Sequence, residues 1–514
     1  IKLHRLKTFF KILTILIVLL LFFFTLNLDF QDYIDGFTRL KGLVVSMMRI
    51  DTEDKKIVLF KMFETIVTAF ASSFIGVVLA VLCSPFLATN ISNKYLARFL
   101  TICFSVFRTV PALVMAAILV SLIGIGSFTG FISLLIITFF SATKLLKEYL
   151  EEINHSKIQS FKTFGFSKFT FLKSCIYPFS KPYIISLFFL TLESSIRGAS
   201  VLGLVGAGGI GQRLWQELNH LRYDRVSIII ITLVILIFVI DLVSYYFRNL
   251  QNTSQLTFEK FILRKNVVKF GVPLVIIGSI LYVTNFINIS QERFIVGLKQ
   301  LNVLAKGIIN PDLAYVPKML SELFISIEIA LSATIFAAVT AIFTSYLSSV
   351  NLFGKYKALG VKIFINILRT FPPIIVALIF FRGFGPGAIS SFFALYIYTV
   401  GVMTKMYNEV LEGINNNVLL MTKSLGLGSF ISYVKIIFNG YFPEFVTIVL
   451  YRFESNIKNS TILGMVGAGG IGHLLVNNIE YRNWNRISTL LIGLSLSIII
   501  IENISYFIRM RVKK

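Results

Sequence analysis

Residues 193–211 read ESSIRGASVLGLVGAGGIG, and residues 454–472 read ESNIKNSTILGMVGAGGIG. The two stretches lie 261 positions apart, and the same offset aligns FRTVPALVMA at 107–116 with LRTFPPIIVA at 368–377. The register holds without a gap over about a hundred residues, so the chain is two copies of one unit. Each copy places an acid and a base four residues apart in an apolar run, then a glycine-rich turn. A chain built this way is read as helices in lipid.

The composition agrees. Of 514 residues, 56% are hydrophobic and only 14% charged, against about 25% charged in an ordinary soluble domain. Lys and Arg number 49 and Asp and Glu 25, a net charge of +24. Basic residues flanking apolar runs are the expected cytoplasmic anchors, which leaves nucleic acid without a role as partner. Cys83, Cys103 and Cys175 form no CxxC pair, so neither a disulfide framework nor a metal site is supported.

Apolar runs recur near 9–28, 61–88, 96–123, 126–146, 178–198 and 226–248, and again near 267–287, 319–347, 358–382, 387–407, 441–457 and 487–508. Each is long enough to span a bilayer as a helix. The expected fold is an all-α polytopic membrane protein of about twelve helices in two parallel six-helix repeats. The first repeat covers 1–248, a cytoplasmic linker 249–266, and the second repeat 267–514. Basic residues concentrate in the pieces that fall inside if the N-terminus is inside, so both termini are expected in the cytoplasm. The loop 29–60, with Asp29, Asp32, Asp35, Asp51, Glu53 and Asp54, falls outside. No small-residue cleavage site follows the first apolar run, which reads as a retained helix. The opening Ile1 suggests a natural start further upstream.

Gly206, Gly208, Gly209 and Gly211, and their copies Gly467, Gly469, Gly470 and Gly472, fit G-x-G-x-x-G. A dinucleotide site would need a preceding strand and an acid about 20 positions on. Here an apolar helix precedes, Asp224 comes too early and Asp241 too late. The glycines read either as close helix packing or as a turn lining a pathway, since irregular backbone at membrane depth must be covered by protein or a cavity.

Charges inside apolar runs cost at least about 2.5 kcal/mol at a helix centre. Glu193 and Arg197 share one helical face, and Glu454 and Lys458 repeat them. Arg108 and Arg369 open the matching Arg-Thr-x-Pro stretches. These six residues either neutralise one another within each repeat or, with a surplus of two positive charges, line the path of an anion. Between the fourth and fifth runs, stretches within 150–175 and 411–437 read as amphipathic hairpins turning at Gly165 and Gly426. They are either solvated surface or a docking element.

The stretch K-E-x-L-E-E-I-N at 147–154, the short helix ending at Gly165, Pro178, and above all E-S-S-I-R-x-x-S-V-L-G-L-V-G-A-G-G-I-G resemble the permease subunit of phosphonate-type ABC importers. That subunit belongs to the binding-protein-dependent permease superfamily. The resemblance covers most of both repeats and implies a fused pair of six-helix units. It further implies that the Gly165 and Gly426 stretches are coupling helices, each received by a cytoplasmic ATPase. Two ATPase copies and an extracellular or lipid-anchored solute-binding protein are the implied partners. Where the superfamily carries Glu-Ala-Ala, the chain has Gln159-Ser160-Phe161 and Leu420-Met421-Thr422, and Asn439 stands where a proline is usual. These departures bear on how symmetrically the ATPases dock.

The implied function is import of a small phosphorus-containing anion, of phosphonate, phosphate or phosphite type, across a bacterial cell membrane. The chain is expected to bind no cofactor, with ATP used by the partner ATPase, because no GxxxxGK[ST] loop exists. One alternative keeps the importer and gives it thiamine or its phosphate esters, with Glu193 and Glu454 facing a cationic ring. Another is an ion-coupled secondary transporter, and a membrane dehydrogenase resting on the glycines alone is weakest.

Overall fold

The computed structural model describes residues 30–153, 168–252 and 291–512, less positions 50, 52 and most of 415–427, together with Gly278. The expected spans at 9–28 and 267–287 and most of the linker lie outside the described residues. Every other expected span is occupied by helix. The first repeat gives α1 (Phe30–Met47), α2 (Lys55–Leu87), α3 (Lys94–Thr109), α4 (Ala112–Ile123), α5 (Ser127–Glu152), α6 (Tyr177–Leu202), α7 (Gly209–Asn219) and α8 (Tyr223–Asn252). The second gives α9 (Gln291–Ile309), α10 (Val316–Ser348), α11 (Lys355–Thr370), α12 (Pro373–Phe384), α13 (Ala388–Glu412), α14 (Phe442–Leu463), α15 (Ile471–Glu480) and α16 (Trp484–Val512).

Two runs expected as single spans are broken. Pro111 and Pro372 carry no N–H and push the residue before them out of the helical region. Val110 and Phe371 are accordingly extended, with ψ of 121° in both. The chain turns by 79° between α11 and α12. A second bend, of 77°, separates the short helical stretch at Ser429–Gly440 from α14. In both repeats one turn of π-helix, Leu172–Ile176 and Tyr433–Ile437, precedes the long helix that follows the hairpin region.

The chain divides into two compact units, residues 46–305 and residues 1–45 with 306–514. In the first, α2, α5 and α6 pack around a shared core. Ser73 Oγ on α2 donates to Ser195 Oγ on α6 at 2.8 Å, and Thr138 Oγ1 on α5 lies 3.2 Å from the same oxygen. In the second unit, α10, α13 and α14 repeat this with Thr334, Thr399 and Asn456, each 261 positions further on. Asn456 Nδ2 donates to Thr334 Oγ1 at 2.9 Å and to Thr399 Oγ1 at 3.0 Å. Each clasp pins three helices in one register where few other polar atoms compete. In the second unit α1 also packs on α12 and α13, with the Phe37 ring edge-on to Phe384 at 5.2 Å and to Phe393 at 6.0 Å.

Hydrogen bonds between membrane helices average about 0.6 kcal/mol and reach about 1.7. Asn456→Ala removes two such bonds and leaves a void, so it is expected to cost about 1–2 kcal/mol. Ser195→Ala is expected to cost less, about 0.6 kcal/mol. Thermal unfolding of the detergent-solubilised protein, followed by tryptophan fluorescence, checks that order.

Candidate functional site

The glycine motif forms the turn between α6 and α7. Gly206, Gly208 and Gly209 have φ of 86°, 78° and 71°, and Gly467, Gly469 and Gly470 have 91°, 80° and 74°. A side chain at any of these would be strained. Gly211 and Gly472 are helical and needed for another reason. A Cβ on Gly211 would run into the Ser200 carbonyl oxygen, and one on Gly472 into that of Thr461. The turn also docks on the loop between α4 and α5, where Gly126 N donates to Gly206 O at 2.9 Å.

The free N–H groups that start α7 are taken by side chains of α2. Gly209 N donates to Glu64 Oε1 at 3.1 Å, and Ile210 N to Thr65 Oγ1 at 2.8 Å. Glu64 is 1% exposed and is held further by Ser127 Oγ and by Lys61 Nζ at 2.8 Å. A carboxylate beside a helix N-terminus is favoured by the helix dipole. In the second unit Ser326 Oγ accepts from Ile471 N at 2.9 Å, and Ile325 stands where Glu64 would be. The donors that a dinucleotide phosphate would use at this motif are therefore already engaged, and close packing accounts for the glycines.

Beside α7, a set of ion pairs ties the loop before α2 to α7 and α8. Arg225 meets Asp51 at 2.9 Å, Asp54 at 2.7 Å and Glu53 at 3.1 Å, and Arg213 meets Asp54 at 2.6 Å. The Glu53 backbone N–H, donating to Asp51, and then Arg225 hold the Asp51 carboxyl below its ordinary value. In the second unit Asp312 and Arg486, 3.2 Å apart, repeat part of this arrangement, with Arg486 over the Tyr315 ring.

Of the six intramembrane charges, Glu193 and Arg197 form an ion pair on α6. In the second repeat Glu454 on α14 meets Arg509 of α16 at 3.3 Å, and Lys458 lies one turn further along α14. Arg108 and Arg369 occupy the last turns of α3 and α11, at the proline breaks rather than in mid-span. Arg369 is 8% exposed, and its backbone lies against Gly401 of α13.

Arg452 is a charge inside the apolar run 441–457, which the length of the run does not reveal. It lies on α14 one turn before Asn456 and is 6% exposed. Its guanidinium stands over the Tyr398 ring at 5.5 Å. Its Nε and Nη2 have no hydrogen-bond partner among the described residues. Thr191 is its counterpart in the first repeat. Glu64 is hidden in the same way, and a charge count inside each run reveals both.

In the hairpin regions Gln159, Ser160, Phe161, Gly165, Leu420 and Thr422 lie outside the described residues. Met421 is exposed and helical, and Gly426 is an exposed turn residue with φ of 66°.

Ala at Gly211 or Gly472 forces backbone apart and is expected to cost about 1–3 kcal/mol. Ala at Gly42, which has open space around it on α1, is expected to be neutral or stabilising by about 0.5–1 kcal/mol. Fluorescence-detected size exclusion against temperature separates the two classes.

Comparison with known proteins places these features. The profile of the binding-protein-dependent transport system inner membrane component family matches residues 72–252 and 333–514, two segments that begin 261 residues apart. The phosphate-import permease protein PhnE of Mycolicibacterium smegmatis is 26% identical over 407 residues, covering 79% of this chain and 76% of that protein. The phosphite transport system permease protein PtxC of Stutzerimonas stutzeri is 23% identical over 247 residues, 48% of this chain and 90% of that protein. The ABC transport system permease protein p69 of Mycoplasma genitalium is 21% identical over 464 residues, 86% of this chain and 84% of that protein. Among solved structures, the inward-facing MetNI methionine ABC transporter aligns with a TM-score of 0.37 at 18% identity, over 40% of this chain and 100% of its own. With two matches covering well over half its length, the chain belongs to the binding-protein-dependent transport system inner membrane component family, as two permease units in one multi-pass chain that serves transport and not catalysis.

Proposed function

We propose that this chain supplies both halves of the channel of a bacterial ABC importer and passes a small phosphorus-containing anion, of phosphonate, phosphate or phosphite type, into the cell. The similarity to the phosphate-import permease across both repeats, 407 residues in all, carries the reading. The phosphite permease adds to it; the thiamine alternative has no such support. ABC permeases work with an ATPase and a solute-binding protein. In this reading two ATPase copies bind the cytoplasmic hairpins, and the binding protein delivers solute from outside. ATP-driven closure of the ATPases then tilts one half against the other, and the path opens alternately to each side.

The hairpin region would meet the ATPase near Gly426, an exposed turn residue whose left-handed φ of 66° would strain any residue that bears a side chain. With both termini in the cytoplasm, the hairpins fall on the same side, in agreement with the placement of bases around them. Ser429 is exposed three residues after Gly426. A cysteine there is expected to react with an impermeant maleimide only in inverted vesicles and to be protected when the ATPase is bound. Labelling in intact cells would overturn the orientation, and labelling unaffected by the ATPase would remove the hairpin from the docking surface.

The positive residues Arg108, Arg369 and Arg452 would attract the anion, while Glu193 and Glu454 are engaged by Arg197 and Arg509. A buried charge without an ion-pair partner is costly, and an apolar residue of similar volume relieves that cost. Arg452→Met is thus expected to preserve or raise the amount of folded protein while lowering phosphate or phosphonate uptake per folded molecule at least tenfold. Arg108→Gln with Arg369→Gln is expected to do the same to uptake. Full uptake after adding Glu193→Gln and Glu454→Gln to that pair would instead make both arginines part of the scaffold.

A further inference from the structure

Between α2 and α6, wholly within the unit of residues 46–305, runs an open groove of about 800 Å³. This is within the roughly 300–1,000 Å³ of pockets that enclose most of a ligand. Its walls are apolar, with Phe70 and Phe74 from α2 and Phe188 and Phe189 from α6. The Phe70 and Phe188 rings meet edge to face at 5.6 Å, forming a firm base at one end. At the other end stand Lys173, in the π-helical turn, and Lys181, in the first turns of α6. Both lysines are exposed, and neither forms an ion pair among the described residues. Tyr177 between them is already used, its hydroxyl donating to Val81 O at 3.2 Å across the groove.

The chemistry of the groove selects its occupant. The transported anion would find no polar partner along the phenylalanines, and an extended peptide would leave its backbone hydrogen bonds unmade. An acyl chain needs none. The groove opens along two spans, beside Val78 and Leu82, which are 43% and 55% exposed. Two lysines eight residues apart, whose backbone positions are about 12 Å apart along the helix at about 1.5 Å per residue, are costly at a membrane boundary unless their ammonium groups reach water or an anion. Basic pockets between spanning helices on the cytoplasmic side are suited to anionic headgroups.

We infer that this groove is a binding site for an anionic phospholipid, with an acyl chain along the phenylalanines and the phosphodiester between Lys173 and Lys181. The site belongs to the first repeat alone. At the same register the second repeat has Val434 and Phe442 in place of the lysines, with Lys435 one position on, so a lipid there would lack the pair of ammonium groups. Placement of the headgroup in the inner leaflet rests on the orientation proposed above. Binding itself does not, when the lipid is present in both leaflets.

The chain has two tryptophans, Trp215 and Trp484, both outside the groove lining. Ile185→Trp adds one within it. In vesicles of phosphatidylcholine with 20 mol% of either brominated phosphatidylglycerol or brominated phosphatidylcholine, the added fluorescence is read after subtraction of the parent protein. Brominated phosphatidylglycerol is expected to quench the new tryptophan two- to threefold more strongly, and Lys173→Gln with Lys181→Gln is expected to abolish that preference. Equal quenching by the two lipids would overturn the site, leaving only the lipid that coats any membrane protein. An absence of quenching by both would also overturn it, because a protein segment would then cover the groove. Should Ile185→Trp fail to fold, phosphatidylglycerol retained per molecule after detergent purification gives the same answer. It is expected to fall by at least half in the double lysine variant. A double lysine variant that keeps its full complement would refute the proposal.

Discussion

The close approach of backbone to backbone at the glycine turn is the constraint on which the rest of each half depends. Where α6 meets α7, Gly211 lies against the Ser200 carbonyl so tightly that no side chain fits. That contact folds α7 back beside the end of α6 and points its first N–H groups at α2, where Glu64 and Thr65 receive them. Once α2 is fixed against α7, the register of α2 on α5 and α6 follows, and Ser73 reaches Ser195 with Thr138 alongside. The second repeat obeys the same geometry with Gly472, Ser326 and Asn456. In a medium that drives helices together only weakly, such polar contacts specify which faces meet.

The position of the helices was legible because lipid imposes a length and a polarity on every span. The repeat was legible because the offset of 261 residues carries the glycine turn and the Arg-Thr-x-Pro stretch together. What escaped was the angle at Pro111 and Pro372. A run such as 358–382 has the length of one crossing, and only the three-dimensional path shows a bend of 79° within it. The proline marked the place but not the size of the turn.

Partners of charges were the other thing the sequence hid. Spacing of four residues gave Glu193 its Arg197 correctly, since both lie on one helix. In the second repeat Arg509 meets Glu454 from α16, a partner that spacing along one helix does not announce. Spacing along one helix says nothing of what a neighbouring helix brings. Glu64 shows the same limit from the other side, because apart from Lys61 on its own helix its partners lie 63 and 145 positions away. Their arrangement is fixed by the glycine turn and not by any local pattern.

The departures from symmetry have a consequence for stoichiometry. Arg452 answers to Thr191, Glu64 to Ile325, and Lys173 to Val434. In a channel assembled from two identical chains every such residue would occur twice, and a buried cation tolerable once would be imposed on both sides of the axis. A single chain with both repeats lifts that restriction. Each half can accept a substitution whose doubled form would not fold, and the two halves can divide tasks that an identical pair must share.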